Sequence, residues 1–267
     1  MHLGVNVPNY GPGTDPGVLR EWGRLVEGLG FDLLMMSDHV VVTPDVAVRY
    51  PEPFFEPFTT LSWLAGITTR VRLGTTVIVL PYRHPLLVAR MATNLNELSG
   101  GRLVLGVGVG GARQEFEALG VPFGDRGRLT DEYLATLREA WGGKSPIPVW
   151  VGGNSAAAIR RSVAFNAAWH PLRFTLPFIR DAVAAHRLAG LAPRIALRLT
   201  ESPVDDSGRL AGVGSLEQVL GDLSELMRLG AGTVVLDPYH GDPEETRRPD
   251  VAWEALTLVA NNWRTAS

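Results

Sequence analysis

Short apolar runs alternate with amphipathic helical segments along the whole chain, and this alternation constrains the fold more than any other feature. The strand-like runs are Leu3–Val7, Leu33–Met36, Val71–Leu80, Leu103–Val107, Pro148–Val151, Ala167–His170, Ile195–Leu199 and Thr233–Leu236. Between and after them lie stretches such as "DPGVLREWGRLVEGLG", "HPLLVARMATNLNELSG" and "SLEQVLGDLSELMRLG", whose apolar residues recur with helical spacing. Asp15 before Pro16, and Ser215 with Gln218 three residues on, read as helix starts. Gly30, Gly100 and Gly230 fall just past helix ends, where a left-handed residue closes the last turn. Eight β-α units in 267 residues, without a linker or a break in composition, predict one (β/α)8 TIM barrel over residues 1–267. A doubly wound sheet, the competing architecture, usually has fewer strands and often a second domain. In a barrel the chemistry sits in the loops that follow the strands.

Composition removes several classes of function. A formal net charge of −3 without a basic block argues against nucleic acid as the main partner. The absence of cysteine excludes disulfides and thiolate metal sites. No apolar stretch reaches the ~18 residues of a membrane span, and "MHLGVNVPNY" reads as a strand rather than a signal peptide. A soluble cytoplasmic protein acting on a small molecule is the expectation.

"GRLVLGVGVGGARQEF" (101–116) contains G-x-G-x-x-G at Gly106, Gly108 and Gly111. A dinucleotide fingerprint needs a second strand soon after its helix, ending in Asp or Glu about 20 residues past the glycines. Here helical text continues to about Trp141, and the motif follows the fourth strand rather than the first, so the dinucleotide reading fails. Two readings remain: close approach of backbone to a ligand, or a tight turn. A second glycine site, "VWVGGNSAAAI", leads through Gly152 and Gly153 into a helix with Asn154 or Ser155 as N-cap, a place suited to phosphate. Glycine-opened loops on adjacent strands favour one phosphate-bearing cofactor lying across both.

Taken together, "GLGFDLLMMSDHV", "RVRLGTTVIVLPYRHPLLVAR", "LSGGRLVLGVGVGGARQEFEALGVPF", "RLTDEYL", "PVWVGGNS" and "AWHP" resemble the luciferase-like flavin and deazaflavin oxidoreductases, especially the F420-dependent branch. "GSLEQVLGDLSELMRLGAGTVVL" extends the likeness toward the C-terminus. The resemblance implies a TIM barrel that holds F420, or alternatively FMN, at the C-terminal face. It places Asp38 and His39 beside the cofactor ring and the substrate, and Thr76-Val77 in a non-proline cis-peptide bulge that backs the ring. Gly108, Val109, Gly110 and Gln114 would line the ring and tail, and Gly152, Gly153 and Asn154 would surround the phosphate. No metal is implied. It also implies a homodimer, for which helices 2 and 3 carry Phe58, Leu61, Trp63, Leu64, Leu87 and Met91, more apolar positions than one inward stripe needs.

The chain departs from the family pattern in three places. Only "GGKSPIP" stands where many relatives insert a hairpin before strand 5, from which a more open mouth and a bulky substrate are expected. Asn166-Ala167-Ala168 replaces the usual Gly-Asp-Gly. Gly111, and Val42 or Thr43, stand where the F420-dependent sugar-phosphate dehydrogenases carry glutamate and tryptophan, which argues against a sugar phosphate as substrate.

His39 with Asp38 as carboxylate neighbour is the natural proton donor or acceptor, or else a structural bond into the following loop. Arg83 and His84 close strand 3, His84-Pro85 reading equally well as a helix start. His170 ends strand 6, and Tyr50 sits in the aromatic loop "RYPEPFFEPF". A metal-dependent hydrolase would draw on Asp38, His39, His170, Asp237 and His240, but lacks the H-x-H pair usual on strand 1 of amidohydrolases. A non-catalytic flavin-binding homologue is the remaining alternative.

Overall fold

A computed structural model describes residues 1–143 and 145–266. Its strands are β1 (His2–Asn6), β2 (Leu33–Met36), β3 (Arg72–Thr75, resuming at Ile78–Val79), β4 (Leu103–Gly108), β5 (Val149–Gly152), β6 (Ala168–His170), β7 (Arg194–Ala196) and β8 (Thr233–Asp237). The helices that follow them are α1 (Pro16–Gly28), α2 (Pro57–Ala65), α3 (Pro85–Leu98), α4 (Arg126–Ala140), α5 (Ala156–Ala164), α6 (Leu176–Ala185), α7 (Leu216–Arg228) and α8 (Pro249–Ala266). Neighbouring strands are parallel in the order β6-β5-β4-β3-β2-β1-β8-β7. Parallel bridges Trp169–Leu191 and Leu172–Arg194 close the ring between β6 and β7. The chain is thus the (β/α)8 barrel that its alternation predicts.

Parallel strands buried on both faces explain the nearly continuous apolar runs. Leu33, Met35, Val104, Trp150, Ala192 and Val235 fill the barrel interior. Residues of the opposite parity, including Val5, Leu34, Leu73, Leu105 and Leu236, pack against the helices. Helix starts follow the sequence signals: Asp15 Oδ1 accepts from the Val18 amide at 2.8 Å, and Ser215 with Gln218 forms a reciprocal capping box. Gly30, Gly100 and Gly230 adopt φ of 70°, 69° and 89° past helix ends.

Two expectations are corrected. The helical text after Gly111 divides into Arg113–Ala118 and α4, with Gly120 and Pro122 between them. The connection carrying "GGKSPIP" runs from α4 to β5, so it lies at the N-terminal ends of the strands. That face is opposite the mouth, and the missing hairpin therefore does not open the mouth or argue for a bulky substrate.

The glycines of β4 answer the question raised by their spacing. The Thr76–Val77 peptide is cis, and the chain there bulges toward β4 and β5. A Cβ on Gly106 would stand 2.0 Å from the Thr75 carbonyl oxygen, one on Gly108 2.6 Å from Val77 Cγ2, and one on Gly152 2.9 Å from Val77 Cγ1. These three glycines make room for the bulge. Gly106→Ala, whose methyl meets backbone rather than a flexible side chain, should therefore lose about 3 kcal/mol of stability, read by denaturant unfolding; a loss below about 1 kcal/mol would contradict the close packing.

Candidate functional site

The top layer of the barrel interior is polar and fully bonded at most of its atoms. Arg194 Nε lies 3.3 Å from Asp237 Oδ2, and Arg194 Nη1 donates to the Thr76 carbonyl (2.9 Å) and to Thr76 Oγ1 (3.1 Å). Asn6 Nδ2 donates to Asp237 Oδ1 at 3.0 Å, and the buried Asn6 Oδ1 has no partner among the described residues. Thr76 Oγ1 is 2.8 Å from His170 Nε2, and His170 Nδ1 bonds the Ala192 carbonyl. Since a carbonyl only accepts, Nδ1 carries the proton and Nε2 accepts from the threonine hydroxyl. Burial pushes the His170 pKa down to about 4; the Ala192 carbonyl opposes this and the Arg194 charge adds to it. His170 is neutral and holds Thr76, the first residue of the bulge, in place.

Above this layer, Asp38 and His39 leave β2 in different directions. Asp38 is buried, accepts from the Val79 amide at 2.9 Å, and takes a bidentate pair from Arg83 at 2.7 and 2.8 Å. It ties the end of β2 to the segment after the bulge. The carboxylate partner of His39 is instead Glu115, whose Oε2 lies 2.7 Å from His39 Nδ1. Glu115 Oε1 accepts from the Val40 and Val41 amides at 2.6 and 3.1 Å, and Tyr82 donates its hydroxyl to Oε2 at 2.9 Å. Burial raises the Glu115 pKa, but the His39 bond and charge and the two amides outweigh it and hold the carboxyl below its usual range. The expectation that Asp38 tunes His39 is corrected: sequence neighbours at a strand end diverge, and each finds a partner from another element.

Aromatic rings cover the mouth beside His39. Tyr50 and Phe54 from "RYPEPFFEPF" lie 5.3 and 5.4 Å from the imidazole, and Tyr10 contacts Tyr50, Phe54 and Tyr239. Asn9 staples this loop, bonding Ser37 through both atoms of its amide and donating to the Phe55 carbonyl. His84 accepts from the Leu86 amide as the N-cap of α3, so its helix-start reading holds.

Of the residues expected to meet a cofactor, Val77 is partly exposed over Gly108 and Gly152. Gly110 has φ 75°, and a Cβ there would meet Val79 and Phe116; Val109 is half-buried and Gln114 is exposed at the rim. Gly153 has φ 115°, and the N-cap of α5 is Ser155, accepting from Ala158 N at 3.2 Å. The Asn154 amide is engaged with Leu172, donating to its carbonyl (2.6 Å) and accepting from its N–H (3.0 Å). Ala156 and Ala157 are exposed, so the first amides of α5 face solvent as donors for an anion. A partly exposed Val77 side chain lying over Gly108 and Gly152, beside the start of α5, fits a planar ring with a phosphate tail. Among the described residues no three His, Asp or Glu side chains gather as a metal site, and His240 pairs with Glu245 and the Leu197 carbonyl. No helix among them is long and apolar enough to cross a membrane.

Sequence reasoning missed Glu115 and Tyr82 as partners beside His39, and Asn6 and Arg194 as the partners of Asp237. Glu115 had a signal, an acidic residue on a helix that follows a glycine-rich strand end.

Residues 1–200 match the family model of luciferase-like monooxygenases. An uncharacterised protein of Mycobacterium tuberculosis is 29% identical over 180 residues, covering 55% of this chain and 62% of that protein. A provisionally named coenzyme F420-dependent oxidoreductase of the same organism is 31% identical over 167 residues, 59% of this chain and 46% of that protein. The matches thus span less than two thirds of these curated relatives. Among solved structures, the monooxygenase RslO1 from Streptomyces bottropensis superposes with a TM-score of 0.77 at 16% identity, covering 98% of each chain. The F420-dependent tetrahydromethanopterin reductase of Methanopyrus kandleri gives 0.75 at 15%, covering 97% of each. The oxygenating constituent of 3,6-diketocamphane monooxygenase from Pseudomonas putida, in complex with FMN, gives 0.72 at 17%, covering 97% of this chain and 96% of that one. At these identities the structures establish the fold.

The depressed pKa of buried His170 makes stability depend on pH. An unfolded histidine titrates near 6.5, so between that pH and about 4 the unfolded chain binds a proton that folded His170 does not. Its contribution is complete above about pH 6.5 and is lost as pH falls toward 4, about 3 kcal/mol in all. Denaturant unfolding across this range should show His170→Gln less stable at pH 7 but with a flatter pH dependence. Equal slopes for both proteins would refute the assignment.

Proposed function

We propose that this chain, which belongs to the luciferase-like monooxygenase family, is an oxidoreductase that transfers a hydride between F420 and a small organic substrate. The observation that carries the reading is His39, anchored at Nδ1 by Glu115 and partly exposed among the aromatic rings of the mouth. When bound, F420 supplies the hydride chemistry. Thr76, Val77, Gly108, Val109 and Gly110 would support its ring, Gln114 its tail, and Gly152, Gly153 and Asn154, with the start of α5, its phosphate. The chain's own work is then to orient, to exclude water with the Tyr10–Tyr50–Phe54 cluster, and to move one proton at His39. The F420-dependent relatives favour F420. The Pseudomonas putida structure in complex with FMN supports a second reading, an FMN-dependent monooxygenase using oxygen.

The experiment is a fluorescence titration of the purified protein with F420 and, separately, with FMN. F420 is expected to bind; binding of FMN alone would select the second reading, and binding of neither would reject both. His39→Ala should keep F420 affinity within about threefold while losing at least about a hundredfold in turnover, the range of general acid-base catalysis. Full activity in that variant removes His39 from the mechanism.

The same reading includes a homodimer through α2 and α3. Phe58, Leu61 and Leu64 prove to be core, but Leu86 and Leu87 on α3 are 54% and 52% exposed, and Trp63 on α2 and Ile67 just after it are exposed too. Light scattering at micromolar concentration should give twice the chain mass, and Leu87→Glu with Leu86→Glu should give a monomer. A monomer in the unmodified protein contradicts the dimer.

A further inference from the structure

Glu115 is an unusual carboxylate. Its side chain is fully buried, and among the described residues no arginine or lysine pairs with it. Burying a carboxylate without a cation is costly unless donors surround it. Four do: His39 Nδ1, the Tyr82 hydroxyl and the Val40 and Val41 amides. The acceptor-only carboxylate fixes the direction of every bond, so the hydrogen between Glu115 and His39 belongs to Nδ1. In the neutral ring this puts the lone pair on Nε2, to which no described residue bonds. Tyr50 and Phe54 flank the ring and hold its plane. The His39 side chain is 16% exposed, so solvent reaches it.

We infer that Glu115 is a positioning residue: its carboxylate locks His39 as the Nδ1–H tautomer, leaves Nε2 as the open proton acceptor, and balances the charge when that nitrogen is protonated. The inference rests on the proton role proposed for His39. A proton leaving a substrate hydroxyl goes to Nε2 and creates an imidazolium-carboxylate pair of zero net charge; the reverse step returns it. Neither direction requires Glu115 to move, since its four donors are already in place. Tyr82 takes the share of the carboxylate that His39 does not use, and the Val40 and Val41 amides tie this pair to the loop carrying His39 itself. Other titratable or charged groups around His39 are Asp38 beside it, paired with Arg83, Asp45 and Tyr50 in the loop after β2, and Tyr239 behind Tyr50.

The test is nitrogen-15 NMR of the histidine rings in the purified protein, with His39 identified by the signals that vanish in His39→Gln. The neutral His39 ring should show a protonated Nδ1 and an unprotonated Nε2. In folded Glu115→Gln, whose amide can donate as well as accept, the neutral ring should show a mixture of both tautomers, while Tyr82→Phe should keep Nδ1–H. An Nε2–H tautomer in the unmodified protein, or an unchanged single Nδ1–H tautomer in folded Glu115→Gln, overturns the inference. If Glu115→Gln does not fold, Glu115→Asp keeps the charge and the unmodified tautomer still decides. These measurements need neither cofactor nor substrate, so a failed dyad and a failed hydride-transfer reading are told apart.

Discussion

The mouth of this barrel takes its form from one buried ion pair between Arg194, the first residue of β7, and Asp237, the last residue of β8. A guanidinium removed from water must satisfy its donors inside the protein, and Arg194 does so by reaching across the barrel to the carbonyl and hydroxyl of Thr76. That reach fixes the start of the β3 bulge, and His170, whose tautomer the Ala192 carbonyl sets, holds the Thr76 hydroxyl from the other side. In a low-dielectric interior such a chain of bonds is stronger than in water, and removal of either charge would leave the other unpaired at a cost of about 3–5 kcal/mol. The bulge itself is possible only because Gly106, Gly108 and Gly152 offer no side chain where Thr75 and Val77 stand.

Two carboxylates carry this geometry outward. Asp38 couples the end of β2 to Arg83 beyond the bulge, and Glu115 couples the loop after β2 to the helix after β4. Both are buried, and both are filled by donors from elements far apart in sequence. The mobile-looking parts of such a fold, the loops at the strand ends, are here pinned to the scaffold by charge-assisted bonds. His39 is thereby held on a rigid base although it lies in a loop, which is what proton transfer at a fixed distance requires.

Much of the fold was legible in the sequence because its causes are local. Strand and helix periodicity, the Asp15 and Ser215 caps and the glycines past the helix ends act within a few residues, and each stands where its chemistry places it. The site residues, by contrast, were legible as types and positions at strand ends but not as partners. Adjacency suggested that Asp38 serves His39, yet neighbours leaving a strand end point apart, and the true partner lies 76 residues on. The glycine spacing signalled something beyond a turn, and its role as room for Thr75 and Val77 emerged only when β3 and β4 were laid side by side.

The sequence by itself determined the eight-unit barrel, the face that carries the loops and the family resemblance, because period, capping and turn chemistry are written in short windows. The tertiary structure alone decided that Glu115 serves His39, that Arg194 holds Thr76 and that "GGKSPIP" lies on the face away from the mouth. Hydrogen bonds and ion pairs act over about 3 Å, and residues as distant along the chain as Thr76 and Arg194, 118 positions apart, reach that range only when the barrel closes.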